Sequence, residues 1–152
     1  MGVKITGGNG LAKLVAKTKN AKMSVVKAGF FEAAKYPDGT PVVDIAVQNE
    51  YGDPHKNIPA RPFMDQTFTR HQKKWLQIVN KTFSKQLKDD AIDYNKLGNA
   101  VGLVMQGDIK DTIVTGDFVP NAPYTVALKG KDTPLRDTLV MLDAVYYQVV
   151  KK

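Results

Sequence analysis

Two stretches of this chain carry apolar residues at four-residue spacing. Met64, Phe68, Trp75, Val79, Phe83 and Leu87 line up as one stripe and predict a helix over about 63–88. Asp65 in its first turn and Lys85 and Lys88 in its last suit the helix dipole. The stripe assigns Phe68 and Trp75 to the core. Leu97, Val101, Met105, Ile109 and Ile113 predict a second helix over about 94–114, closed by Gly116. Gly98, Gly102 and Gly107 weaken its intrinsic propensity. Small residues at that spacing let a neighbouring element come close, so one face of this helix should be packed.

Elsewhere the period shortens to two. Residues 23–31 alternate and are rich in β-formers, as are Ala144 to Val150, so each predicts a strand. Thr40 reads as the N-cap and Pro41 as the first residue of a short helix over 41–51 that Gly52 stops, with a strand as the alternative because Val42, Val43 and Val47 are β-branched. Residues 53–62 hold three prolines and read as an extended loop, and 117–134 as another. Asp137 or Thr138 is placed to cap a single helical turn. Residues 3–5 suggest an edge strand and 10–20 a helix, with the Gly7–Gly10 hinge between. The sum is an α+β fold: a small, mostly antiparallel sheet packed against two long helices. It forms a single domain over 23–152, preceded by a basic arm and helix over 1–22. Two strands far apart in sequence make a marginal sheet, which hints at oligomerisation.

Charge sharpens this division. The 152 residues carry 22 Lys and Arg against 15 Asp and Glu, a net +7. Residues 1–35 hold seven Lys and one acid, so +6 of that charge sits in the first quarter. Such a segment can meet nucleic acid or an acidic protein face, or it is a solvated Lys-rich helix face; its lack of Arg favours the latter. Cysteine is absent, which removes disulfides, Cys-based zinc sites and thiol nucleophiles. No stretch is long and apolar enough for a membrane span, and the first residues lack a secretion signal, so no membrane partner is expected.

Candidate chemistry is thin. The Gly-rich turn at 7–10 lacks the Lys and Ser/Thr of a phosphate loop. The two histidines, His55 and His71, have no metal-ligand spacing, although Asp53 or Asp65 could join them. The only serines, Ser24 and Ser84, fall in a predicted strand and helix rather than a tight turn. Asp89 and Asp90 read as a solvated corner. No catalytic, cofactor or metal residue is assigned, and the chain reads as a non-enzyme.

Three ordered segments carry a family resemblance. They are Val26-Lys27-Ala28-Gly29-Phe30 with Tyr36-Pro37-Asp38-Gly39; Ile45 to Gly52 with Ile58-Pro59-Ala60-Arg61-Pro62-Phe63; and Ala122-Pro123-Tyr124-Thr125 with Lys129-Gly130 and Pro134-Leu135-Arg136-Asp137-Thr138. Together they resemble the phage virion morphogenesis proteins of long-tailed phages and prophages, a family that includes tail-completion and head–tail joining components. Tyr51 stands where that family usually has Phe. Leu139 stands where it usually has Gly, a residue free to take a backbone conformation that Leu resists. The resemblance implies a structural ring at the neck or head-proximal tail, a hexamer among the sizes open to it. Its implied partners are copies of itself, tail-tube or tail-terminator proteins, head-completion proteins, and DNA in non-specific passage. It would be made in the host cytoplasm and end in the virion. The assembly candidates it marks are Glu50, Tyr51, Gly52, Ile58, Arg61, Phe63, Leu135, Asp137 and Thr138, with Glu50 and Arg61 expected in one contact region, within a subunit or between neighbours. The competing reading is a basic double-stranded DNA-binding module.

Overall fold

A computed structural model describes residues 16, 24–88, 92–136 and 139–151. The expected edge strand at 3–5 and the helix at 10–20 lie outside these, apart from Ala16, which is helical; so do Asp137, Thr138 and the Asp89-Asp90 pair. In chain order the elements are β1 (Ser24–Gly29), α1 (Val42–Tyr51), a 3-10 turn (Pro54–Lys56), α2 (Phe63–Lys88), α3 (Tyr94–Thr115), α4 (Pro123–Lys129), α5 (Val140–Asp143) and β2 (Tyr146–Lys151).

β1 and β2 pair antiparallel, from Ser24 with Lys151 to Gly29 with Tyr146. Alternation gives this ribbon two different faces. Val26, Ala28, Tyr147 and Val149 are half-buried against α3, whereas Val25, Lys27, Tyr146, Gln148 and Val150 face outward. The fold is therefore α+β, a two-stranded antiparallel sheet set against long helices, with α2 backing α3 on the far side.

The glycines of α3 explain how close that packing is. A Cβ built on Gly98 would stand 2.8 Å from a Val149 methyl, and one on Gly102 would stand 2.3 Å from the Tyr147 ring. The ribbon rests on helix backbone at both points. Gly107 meets nothing within 4 Å and takes no part in the contact. Tyr147 is pinned by its hydroxyl, which donates to Asn99 Oδ1 at 3.1 Å.

The α2–α3 hairpin turns on Gln86 and Asp93. Gln86 Oε1 accepts from Asp93 N at 2.9 Å, and its Nε2 donates to Asp93 O at 3.1 Å. The Asp93 carboxylate accepts from the free amides of Asn95 and Lys96, capping α3. The core lies at the other end of the hairpin, where Val42, Ala46, Phe63, Ile109, Ile113, Met141 and Val145 are buried together. Phe30 meets Phe63 edge to face at 5.9 Å.

Several local expectations are corrected. Pro41, not Thr40, occupies the N-cap of α1, and no side chain caps that end. Thr40 instead donates its N–H to Asp38 Oδ1, a bond that lowers the Asp38 carboxyl below its usual range. The proline loop is not wholly irregular: Asp53 Oδ1 accepts from His55 N and caps one 3-10 turn, and Asp53 and Ile58 bridge across it. The 117–134 loop contains α4, because Pro123 stands near the helix start, where its missing donor costs nothing. Phe68 is 55% exposed rather than core, since α3 covers only part of the α2 stripe. Val145 is buried but precedes the strand.

Gly102→Ala should cost about 1–3 kcal/mol by overpacking against Tyr147. Gly107→Ala should instead add up to about 1 kcal/mol, since only helix propensity changes there. Urea unfolding of the two variants should move the midpoint in opposite directions.

Candidate functional site

The proline loop ends in Arg61, and its side chain turns inward: the residue is 5% exposed. Nε donates to Val119 O at 2.8 Å, and one terminal nitrogen donates to Asn49 Oδ1 at 3.2 Å. The other donates to Pro120 O and Asn121 Oδ1, both at 3.2 Å. Its backbone N–H reaches Asn49 O at 2.6 Å. All four side-chain acceptors are neutral. Burial accordingly pushes the guanidinium pKa below its ordinary value, with the charge of Asp132 opposing the shift. An Arg remains protonated regardless, so a full cation sits inside this corner.

Glu50 stands beside it with separate partners. Its carboxylate accepts from Met64 N at 2.8 Å and Asp65 N at 3.0 Å. These amides belong to the first turn of α2, where no intrahelical acceptor exists and the helix dipole is positive. The end of α1 thus caps α2. Between the two acts Gly52, at φ 78°, where a Cβ would lie 2.8 Å from Ala60 N. Only glycine lets the chain fold back this tightly.

The assembly candidates divide by exposure. Glu50, Arg61 and Phe63 are buried, the last completely. Ile58 and Leu135 are half-buried, and Tyr51 is 78% exposed. Leu135 and Leu139 take left-handed backbone conformations at φ 63° and 60°. Asp137 and Thr138, between them, lie outside the described residues. A cavity of about 320 Å³ opens beside Arg61, walled by Tyr36, Ile45, Asn49, Lys129 and Leu139 among others. The structure thus brings Glu50 and Arg61 into one region within the subunit; an Arg61 left in solvent is not what the chain builds.

A third buried charged residue, besides Arg61 and Glu50, was missed by the sequence reading. Asp108 of α3 accepts from Trp75 Nε1 and Lys74 Nζ, each at 2.7 Å, and His71 Nδ1 lies 3.7 Å away. It locks α2 to α3. The available signal was Trp75 itself, since a core indole N–H needs an acceptor. Asn49 and Asn121 were also missed as partners of Arg61. His55 is exposed and His71 faces Asp108, so the two histidines do not converge. Among the described residues no group of three His, Asp or Glu could hold a metal, and no helix is long and apolar enough to cross a membrane.

Comparison with known proteins finds no matching family model, no similar curated protein and no similar solved structure.

Glu50→Ala should destabilise the protein by about 1–2 kcal/mol through loss of the cap, and Glu50→Gln by less because one acceptor oxygen remains. Denaturant titration of both should preserve that order. Leu139→Gly should raise stability by about 0.5 kcal/mol: relief of left-handed strain slightly exceeds the added chain entropy, and the side chain buries little. A rise in melting temperature checks it.

Proposed function

We propose that this chain is a structural component of a phage or prophage virion, acting at the head–tail junction as a ring of identical copies. The observation that carries the reading is convergence at Arg61. Asn49 lies in the second segment of the resemblance and Asn121 directly precedes the third, yet both bond the guanidinium that ends the Ile58–Phe63 motif. Segments that are distant in sequence meet as one corner, and that corner is held by mutual bonds around a buried guanidinium.

What the corner carries outward supports the same reading. α1 exposes Val47 and Tyr51, one turn apart, at 50% and 78%. α4 exposes Tyr124 and Leu128, also one turn apart, at 75% and 71%. Arg61 ties these two helices to each other through Asn49 and Asn121. Large apolar groups held on a rigid support and left in water are the usual anchors of a protein contact. Two different patches on one subunit suit a head-to-tail contact, which closes into a ring when the rotation per step divides a full turn.

Sedimentation of the purified protein across a wide concentration range should reveal a discrete closed oligomer, and electron microscopy should show annular particles. Tyr51→Glu and Leu128→Glu should each shift it towards monomer by at least about tenfold in concentration without lowering the melting temperature. A phage deleted for this chain should accumulate separate heads and tails. Strictly monomeric protein together with infectious deletion particles would overturn the reading.

A further inference from the structure

The basic N-terminal quarter is not the only concentration of positive charge. α2 carries Arg70, Lys73, Lys74, Lys81, Lys85 and Lys88 against one acid, Asp65, a net +5. Residues 36–152 together sum to only +1, so everything else in that span sums to −4. The charge has been separated onto one helix.

It has also been separated onto one face of that helix. At about 100° per residue, the six cations fall within an arc of about 120° that points away from Trp75 and the core. All six are exposed. From Arg70 to Lys88 only Gln77 and Ser84 share the arc with them, and no apolar, aromatic or acidic residue does; Phe63 and Thr67, on the same bearing in the first turns, are buried in the core. Asp65 falls outside it. α2 packs on α3 by its other side, and among the described residues the cations of this arc form one ion pair, Lys74 with Asp108. From Arg70 to Lys88 the ribbon runs about 27 Å, the length of about eight base pairs of duplex.

We propose that the outer face of α2 binds the phosphate backbone of duplex DNA without regard to sequence. The composition of the arc selects this occupant. A protein partner needs an apolar or aromatic anchor at the centre of its contact, and the arc has none. Single strands need aromatic stacking platforms, and these are missing as well. An anionic membrane would need a continuous apolar face beside the cations, and α3 covers much of that side, leaving only Phe68 and Leu76 of α2 as exposed large apolar groups. What remains is charge alone, dominated by Lys rather than the base-reading Arg. The proposal stands independently of ring assembly, although a neck ring would supply the duplex.

The test is fluorescence anisotropy with the full chain and a labelled duplex of about 25 base pairs across a salt series. Arg70, Lys73, Lys81 and Lys85 are changed together to Gln. A charge-matched control changes Lys4, Lys13, Lys17 and Lys19 to Gln. Circular dichroism verifies folding of both variants; the four α2 positions are exposed, so their change should leave it intact. The α2 variant should lose at least about tenfold in affinity at low salt, and its log–log salt slope should shrink by about 3–4. The N-terminal control should lose less, and the same sequence as a single strand should bind the wild type more weakly. Duplex affinity within twofold of wild type for the α2 variant would overturn the proposal. So would an equal or larger loss in the N-terminal control, tighter binding of the single strand, or binding to anionic phosphatidylserine vesicles with none to DNA. Sedimentation of the same samples reads assembly separately, so a failure of either idea is distinguishable from a failure of the other.

Discussion

A guanidinium removed from water must find acceptors for its fixed fork of donors, and Arg61 finds them on both sides of the fold. Two come from the carbonyls of Val119 and Pro120 and two from the amides of Asn49 and Asn121. Each bond is ordinary in length, but together they fix the segment after α3 against the end of α1. Truncating the side chain would remove the donor from four part-buried acceptors at once, each bond contributing about 1 kcal/mol. The neighbouring turn at Gly52 and the cap that Glu50 places on α2 depend on the same placement. α2 therefore starts where it does because α1 ends against Arg61.

The buried charges of Asp108 and Arg61 work differently. Asp108 meets a cation, Lys74, and an indole N–H, so its charge is compensated where it sits. Arg61 meets only neutral oxygens and keeps its positive charge beside a cavity. The first arrangement holds two helices in register. The second holds irregular chain, which has no ladder of its own and must borrow rigidity from side-chain bonds. The placement of Tyr51 and Leu128, and hence the proposed contact between copies, rests on that borrowed rigidity.

Periodic features were legible in advance and non-local ones were not. The α2 stripe set a helix over 63–88, and the strand alternation set both β1 and β2, because burial of one face imposes its spacing on the sequence. The close approach at Gly98 and Gly102 also followed from residue size. By contrast, α4 was hidden by reading 117–134 as one loop, although Pro123 suits a helix start. The exposure of Phe68 was invisible because a stripe does not reveal how much of it a neighbour covers. The inward turn of Arg61 depends on acceptors some sixty residues further along, and no local pattern announces them. The resemblance placed Glu50 and Arg61 together but did not supply the bonds each makes.

The ribbon has a consequence for synthesis. Its two strands bracket nearly the whole described chain, so β1 leaves the ribosome long before β2 exists to meet it. The helical hairpin can form first, through Gln86, Asp93 and Asp108, while the shallow track along Gly98 and Gly102 stays vacant. Completion waits on Tyr147 and Val149 settling into that track. A nascent chain stalled ahead of β2 would display an unsealed helix and a lone strand, the kind of surface that chaperones hold and that identical neighbours on one polysome can join prematurely.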